Sequence, residues 1–406
     1  MDLARHPGDP WPAHGHQVMP WRQTHRGGII EDRTLSEVTV SLPPHIADLS
    51  PTVDLELVAA MEVGIREIVT LDQMHGTDLN ALGTLLLRTE SVASSKIEHI
   101  NATVDEFARA LHGNKSNQSA TSMVAATAAL SQLIHSVEDG RDISRATIDR
   151  AHEALMADDP YESSYAGRVR DMQNWIGGSD YSPRKAVFVP PPPGTVEDYL
   201  ADLVAFSNRV DLPVLTQAAV THAQFESIHP YTDGNGRIGR ALINTILRRR
   251  GITNHVVIPL ASALVADRDQ YFGLLTEYRD GRIAPIIAAF TDAARIAAVE
   301  SRVTAGRIAT MPEQWRDWIG QVRHDSATDR LLATLTTTPI FSAEDIYDTI
   351  GGPASSTYSA IDRLQEAGVL RPLTKRKRNQ VWGASTLLDE LEDLGYRIAT
   401  RSKSSM

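Results

Sequence analysis

Apolar and ring-bearing side chains recur at helical spacing in the middle of the chain. From about residue 213 to 228 they fall three or four positions apart, at Leu215, Ala218, Ala219, His222, Phe225 and Ile228. This period predicts an amphipathic helix. Pro230 ends it, because the residue before a proline avoids helical backbone. A second helix is predicted from about Gly236 to Arg250, so a short loop separates the two helices.

The helical period continues on both sides of this pair. An upstream apolar run includes Leu79, Leu82, Leu85, Leu86 and Val92. Downstream, Ile283 to Ile296 forms another apolar-faced helix, and Pro312 falls in a predicted break. We therefore predict a mainly α fold, in which residues from about 50 to 310 form an all-helical body.

The C-terminal segment has a different pattern. Leu331, Leu332 and Leu335 mark one helix, Ser342 opens a second that ends at Gly351, and Tyr358, Ile361 and Leu364 mark a third. Val369–Leu373 is then predicted to pair with Gln380–Trp382 across the basic turn Lys375–Arg378. Three helices followed by a hairpin resemble a winged helix over residues 325–395. Two uses stay open, DNA binding through the third helix or contacts with protein only.

The loop between the central helices concentrates reactive side chains. Residues 229–240 read His-Pro-Tyr-Thr-Asp-Gly-Asn-Gly-Arg-Ile-Gly-Arg. His229 can act as a general base, and Asp233 offers the oxygen ligand that Mg²⁺ requires. The glycines allow the backbone to form a concave anion site at a helix N-terminus. Arg237 and Arg240 share one helical face, so both guanidinium groups can reach the same phosphates.

This stretch closely resembles the signature of the Fic family, His-Pro-Phe-x-Asp-Gly-Asn-Gly-Arg-x-x-Arg, and departs from it only at Tyr231. The resemblance implies transfer of AMP from ATP, with Mg²⁺, to a hydroxyl group of a target protein. It implies that Asn235 and the loop amides hold the α-phosphate, Arg237 the β-phosphate and Arg240 the γ-phosphate. The implied nucleotide site comprises Gly234, Asn235, Gly236, Arg237, Gly239 and Arg240.

An upstream segment resembles the family's inhibitory motif, Ser/Thr-x-x-x-Glu-Gly/Asn. Ser94 and Glu98 match it, and His99 stands where the family has Gly or Asn. The resemblance implies that Glu98 pairs with Arg240 and blocks the γ-phosphate position. A carboxylate there would occupy the guanidinium group and repel the phosphate.

Two further segments resemble parts of the family's active site. Lys185, Ala186, Val187, Phe188 and Val189 precede a proline run and resemble the flap, a hairpin that grips a target segment by main-chain pairing. We expect the region from Tyr165 to Arg170 to be its partner strand. Tyr271 and Phe272 resemble the aromatic pair of the adenine pocket.

Composition limits the remaining functions. With no cysteine, the chain has neither disulfides nor a thiolate metal site. We find no apolar run of about 18 residues and no signal peptide, so we expect a cytoplasmic protein without membrane contact. The net charge of −11 argues against general coating of nucleic acid.

The predicted organisation has four parts. Residues 1–45 form an extended arm, 46–130 a helical region with the inhibitory segment 94–99, 131–310 the Fic catalytic domain, and 325–395 the winged helix. The expected partner is a protein substrate, with the chain itself among the candidates, and a homodimer is left open.

Two alternative functions are retained. One is a DNA-binding regulator whose Fic body senses nucleotide. The other is phosphoryl transfer, as in the Doc-type branch, which carries lysine where Gly236 stands. The intact His229 and Gly236 favour AMP transfer over both alternatives.

Overall fold

The computed structural model describes residues 11–23, 27–74, 79–113, 115–374 and 380–405. Its fold is mainly helical, which confirms the predicted fold class. The predicted basic turn Lys375–Arg378 lies outside the described residues. Within the described part of the chain, no helix is long and apolar enough to cross a membrane.

Sixteen α-helices are described, together with short 3₁₀ turns. In chain order they are α1 (Ile30–Arg33), α2 (Leu55–Asp72), α3 (Leu79–Ile97), α4 (Val104–Leu111), α5 (Gln118–Ser136), α6 (Arg145–Met156), α7 (Val196–Ser207), α8 (Val214–Ile228), α9 (Asn235–Arg249), α10 (Ala261–Leu264), α11 (Arg268–Arg279), α12 (Ala284–Ile319), α13 (Ala327–Thr334), α14 (Ala343–Ile350), α15 (Ala354–Glu366) and α16 (Ser385–Ser405).

Five short strands are described, in two small antiparallel sheets. They are β1 (Gly15–Pro20), β2 (Glu37–Leu42), β3 (Ile340–Ser342), β4 (Leu370–Pro372) and β5 (Val381–Ala384). The first sheet pairs β1 with β2, with Gln17 opposite Val40, and the second has the order β3-β5-β4. The described part of the predicted extended arm is therefore a hairpin. Val38 and Val40 drive this folding, because their alternating side chains are buried on one face of β2.

The chain divides into two compact units, each assembled from separate segments. Unit 1 comprises residues 1–62, 129–251 and 268–291, and unit 2 comprises 63–128, 252–267 and 292–406. The predicted domains were contiguous stretches, and their boundaries stay a prediction.

The core of unit 1 is the helix pair α8 and α9. Every residue of α8 is buried, and α9 is buried from Asn235 to Leu247. Gly239 permits the close approach, because a Cβ there would lie 2.7 Å from the Glu226 Oε1 and 3.1 Å from the Phe225 Cδ1. The helices therefore hold the loop between them from both ends.

The C-terminal part of unit 2 has the predicted order of three helices and a hairpin. The Ser342 hydroxyl accepts from the Asp345 N–H and the Asp345 carboxylate accepts from the Ser342 N–H, which caps α14. Gly351 ends this helix with φ 65°. β4 pairs with β5 at Arg371–Gly383, as predicted for the hairpin. This arrangement is consistent with a winged helix.

One predicted break is wrong. Pro312 lies inside α12, which continues to Ile319. A proline removes one backbone donor within a helix but does not end it where packing holds both sides. Trp315, one turn later, is fully buried and its indole N–H donates to the Thr386 hydroxyl at 2.9 Å. This contact keeps the end of α12 folded.

Candidate active site

The loop of residues 229–234 begins with a strained turn. α8 ends at Ile228, and His229 follows in the left-handed conformation with φ 50° and ψ 62°. Its N–H donates to the Phe225 carbonyl at 2.9 Å. A non-glycine residue in this region costs free energy, on the order of 1–3 kcal/mol, so surrounding contacts must hold it. The turn ends α8 and places His229 at the first position of the loop.

Arg170 supplies those contacts. Its side chain is buried, and its guanidinium donates to the His229 carbonyl at 2.8 Å and to the Pro191 carbonyl at 2.6 Å. The Arg170 N–H also donates to the Pro230 carbonyl at 3.0 Å. Burial lowers the pKa of this guanidinium to about 10, so it stays charged at neutral pH. A cation here stabilises the C-terminal end of α8.

The side chain of Asn235 closes the loop on itself. Its Oδ1 accepts from the Tyr231 N–H at 2.8 Å, and its Nδ2 donates to the Tyr231 carbonyl at 2.9 Å. The Tyr231 ring is fully buried, and its hydroxyl donates to Asp149 at 2.7 Å. The tyrosine that departs from the Fic signature thus donates its hydroxyl to the partly buried carboxylate of Asp149. The Asn235 amide sets the shape of the loop.

His152 on α6 contacts the same loop through a hydrogen bond and a ring stack. Its Nδ1 accepts from the Gly167 N–H at 2.9 Å, so its Nε2 carries the proton and donates to the Asp233 carbonyl at 3.0 Å. Its ring stacks on Tyr231 with centroids 3.7 Å apart. Burial lowers the pKa of His152 to about 4, which keeps this neutral tautomer at physiological pH.

The buried His152 predicts a loss of stability in mild acid. Its pKa is about 4 in the folded protein against an ordinary value of 6.5. Between these pH values His152 is protonated in the unfolded chain but stays neutral in the folded one. Its contribution to the free energy of unfolding is therefore fully present above pH 6.5 and is lost as the pH falls toward 4. Between pH 7 and pH 5, we expect the free energy of unfolding to fall by about 2 kcal/mol less in His152→Phe than in the wild type.

Urea unfolding at the two pH values measures this effect. His135→Phe is the matched control, since His135 is exposed on α5 of the same unit. The control should keep the wild-type pH dependence. An unaltered dependence in His152→Phe would refute the assignment.

Asp233 and Gly234 form the floor of a concave backbone turn. The Asp233 Oδ1 accepts from the Gly234 N–H at 2.6 Å, and its carboxylate is more than half exposed. Gly234 has φ 75°, and a Cβ there would lie 2.9 Å from Leu155 and 3.1 Å from the Met156 sulfur. Glycine is required at this position for both reasons. The exposed Asp233 carboxylate, next to the N-terminus of α9, has the chemistry that suits Mg²⁺, which binds few protein ligands and completes its shell with other oxygen ligands and water.

The two arginines of the motif lie on buried faces of α9. Arg237 is 6% exposed, and its Nη2 lies 3.9 Å from the Asp233 Oδ2. Arg240 is 1% exposed, and its Nη1 lies 3.4 Å from the Tyr271 hydroxyl. Burial strengthens the attraction of both guanidinium groups for an anion, because the surrounding dielectric is low.

Of the predicted aromatic pair, Tyr271 lies in the core and Phe272 lies at the surface. Tyr271 is buried, and its hydroxyl lies 2.8 Å from the His222 Nε2. Phe272 is 42% exposed and packs under the Arg268 guanidinium. Tyr271 therefore belongs to a polar network beneath Arg240, and Phe272 is the member that solvent reaches.

The predicted flap is short, and its partner is not the one expected. Phe188 forms an antiparallel bridge with Ile176, whose N–H donates to the Phe188 carbonyl at 2.8 Å. The region from Tyr165 to Arg170 is irregular instead of a strand. Gly167 explains this, because it has φ 70° and gives its N–H to His152. Val187 is 80% exposed at the tip.

The N-terminal hairpin holds the flap, a connection that the sequence did not reveal. The Ser41 N–H donates to the Val189 carbonyl at 2.9 Å. Asp32 is buried and accepts from the Ser182 hydroxyl at 2.7 Å and from Arg184 at 3.1 Å. The Ser182 hydroxyl and further hydrogen bonds hold the pKa of Asp32 well below its usual range. No periodic pattern marks Asp32 or Arg170, since their partners are distant in sequence.

The predicted inhibitory residues lie in unit 2, at the end of α3. The Ile100 N–H donates to the Ser95 carbonyl and the His99 N–H to the Lys96 carbonyl, both at 3.1 Å, which is a Schellman motif. His99 occupies its left-handed position with φ 59°. This explains why glycine or asparagine suits the position, and histidine adopts the same conformation here.

The predicted site residues therefore fall into two groups. Unit 1 contains His229, Asp233, Gly234, Asn235, Gly236, Arg237, Gly239, Arg240, Tyr271, Phe272 and the flap residues 185–189. Unit 2 contains Ser94 and Glu98. Gly239 contributes to the packing of α9 on α8.

Comparison with known proteins identifies related chains. Residues 142–247 match the model of the Fic/DOC family. A probable protein adenylyltransferase from Aquifex aeolicus is 34% identical over 102 residues, which cover 25% of this chain and 29% of that protein. The protein adenylyltransferase fic-1 from Caenorhabditis briggsae is 30% identical over 154 residues, covering 37% of this chain and 27% of that protein. The match spans less than a third of either relative.

A solved structure extends the likeness of the fold. A Fic family protein from Desulfovibrio desulfuricans G20 aligns with 82% of this chain and 98% of its own length. The TM-score is 0.53 at 19% sequence identity. The shared feature at this level is the fold.

Proposed function

Because residues 142–247 match the model of the Fic/DOC family, we propose that this chain transfers AMP from ATP to a hydroxyl side chain of a protein. One observation carries the proposal. The loop from His229 to Gly234 joins two buried helices in a fixed turn, with a candidate base at its start and two buried arginines just beyond it. A base beside an anion site is the arrangement that nucleotidyl transfer requires.

The proposed reaction uses the residues in defined roles. His229 accepts the proton of the target hydroxyl as its oxygen attacks the α-phosphorus of ATP. The new oxygen–phosphorus bond forms as the bond between the α-phosphorus and the bridging oxygen breaks, and pyrophosphate leaves. Arg237 and Arg240 bind the β- and γ-phosphates and stabilise the charge on the leaving group.

Two other groups complete the proposed site. Asp233 would hold Mg²⁺, which supplies charge compensation at the phosphates. The N–H groups of Asn235 and Gly236 lie at the N-terminus of α9, where an α-phosphate is electrostatically favoured. Arg170, His152 and the Asn235 amide fix the loop before α9 through the contacts given above, so the reacting groups are preorganised.

The flap is proposed to bind the target segment. Its tip at Val187 is exposed, and extended backbone near it can pair with another chain. The Val189 carbonyl already accepts from Ser41, so the target would pair nearer the tip. We propose in addition that Glu98 restrains the enzyme by competing for Arg240.

The position of the label in ATP tests the proposed reaction. We expect the purified Glu98→Gly protein to label itself from α-labelled ATP and not from γ-labelled ATP. Transfer from γ-labelled ATP would instead indicate phosphoryl transfer. Asp233→Ala should reduce α-label transfer about 10²-fold or more, because the bound cation contributes several kcal/mol of charge stabilisation.

Asp198→Ala is the matched control, since Asp198 is an exposed carboxylate in the first turn of α7. It should keep full activity and remain sensitive to a chelator. Chelator-insensitive activity in Asp233→Ala would show that this carboxylate is not the metal ligand.

A further inference from the structure

Unit 2 contains a cavity that the proposed function does not use. Its volume is about 520 Å³, within the usual range of small-molecule sites. Residues of α3, α4 and α16 form much of its wall. The apolar part of the wall includes Val92, Phe107, Met123, Ile340, Leu391 and Ala399.

Two buried polar groups interrupt this apolar wall. Among the residues that the structure describes, neither the Arg88 Nη1 nor the Ser262 Oγ has a hydrogen-bond partner. Ser262 is only 2% exposed, so solvent does not replace the missing partner. Burial lowers the pKa of Arg88 to about 10, and the guanidinium remains a cation at neutral pH.

The lack of hydrogen-bond partners for the Arg88 Nη1 and the Ser262 Oγ costs free energy in the empty cavity. Buried polar groups are normally hydrogen-bonded, and buried charges are normally paired. A carboxylate entering the cavity would accept hydrogen bonds from both groups and neutralise Arg88. At the rim, the exposed Lys96 adds positive charge and the exposed Glu392 opposes it.

We propose that this cavity binds a small amphipathic anion, a carboxylate attached to an alkyl chain. The carboxylate binds Arg88 and Ser262, and the chain fills the apolar remainder. All lining residues belong to unit 2, whereas the Fic motif belongs to unit 1. The proposal therefore stands or fails independently of AMP transfer.

Decanoate and 1-decanol are suitable probes, because they share a chain length and differ in the charge of the head group. We expect calorimetry on the full chain to show decanoate binding at least tenfold tighter than 1-decanol. Decanoate should also raise the Tm in a concentration-dependent manner. Equal affinity for the two probes would overturn the proposal.

Arg88→Met tests the charged group. The variant should lose at least tenfold in decanoate affinity and keep its affinity for 1-decanol. Without ligand its Tm should stay the same or rise, since a buried guanidinium nitrogen without a hydrogen-bond partner is removed. Arg66→Met is the control, because Arg66 is an exposed arginine of α2 in the same unit. Unchanged decanoate binding in Arg88→Met would contradict the assignment.

Gly395→Phe tests the cavity independently of the charge. Gly395 lies in α16 and lines the cavity, and a Cβ there would meet no heavy atom within 4 Å. The phenyl ring should fill the space and abolish binding of both probes. Gly306→Phe, at an exposed helical glycine with the same free space, is the control. Decanoate binding that persists in Gly395→Phe would place the ligand elsewhere and refute the proposal.

Discussion

We expect replacement of His229 to abolish the proposed AMP transfer and to leave ATP binding nearly unchanged. We expect His229→Ala to reduce transfer about 10²- to 10⁴-fold, since that is the contribution of a positioned general base. The proposed phosphate contacts come from Arg237, Arg240 and the loop amides, which the substitution does not remove. The loss should therefore appear in kcat and hardly in the affinity for ATP.

The backbone at His229 requires a matched second variant. With φ 50°, the position penalises alanine more than histidine. Asparagine tolerates this conformation and cannot act as a base near neutral pH. His229→Asn should thus be as inactive as His229→Ala while keeping the Tm of the wild type.

Labelled AMP incorporation and binding of a non-hydrolysable ATP analogue distinguish chemistry from folding. The expected pair of results is lost incorporation with retained analogue binding in both variants. Wild-type incorporation by His229→Asn would eliminate His229 as the base. Loss of analogue binding in both variants would assign His229 to the nucleotide site instead.

Glu98→Gly is expected to raise auto-modification about 10²-fold. The predicted pairing with Arg240 removes the charge that the γ-phosphate needs, so ATP binds with its α-phosphate displaced from the acceptor. A misplacement of about 1 Å costs on the order of 10²-fold in rate. The gain should appear in the rate and much less in ATP affinity.

Two further substitutions separate the charge of Glu98 from the shape of the turn at the end of α3. Glu98 is exposed in the C-terminal turn of α3, where the helix dipole disfavours a negative charge. Glu98→Gln removes the charge at nearly constant shape, and we expect it to activate as well. His99→Gly is the control, because it preserves the left-handed turn and the carboxylate together.

The dependence on Arg240 completes this test. Arg240→Ala should be inactive alone and in combination with Glu98→Gly, since it removes the restraint and the phosphate contact together. Auto-modification with α-labelled ATP measures all four proteins. Equal rates for wild type and Glu98→Gly would refute inhibition by this residue. Activation by His99→Gly would show that the conformation of the turn, and not the Glu98 carboxylate, inhibits the reaction.

The sequence predicted the elements whose cause is local. The period of α8, the proline after His229, the glycines of the loop and the Ser342 cap are all readable from neighbouring residues. The same is true of the hairpin between β4 and β5. Pro312 misled the prediction, because packing at Trp315 maintains a helix that local propensity would end.

The sequence alone identified a Fic-type loop, because the residues of the motif are contiguous. Their chemistry can be recognised without knowing which distant residues they contact. Tertiary structure decided how that loop is held. Three residues that hold the loop lie some 60 to 80 positions before it in the sequence. Arg170 contacts His229, His152 contacts Asp233, and Asp149 contacts Tyr231. Asp32 likewise meets Ser182 only after folding. Buried hydrogen bonds between distant residues leave no period in the sequence, since each depends on where two separate elements pack.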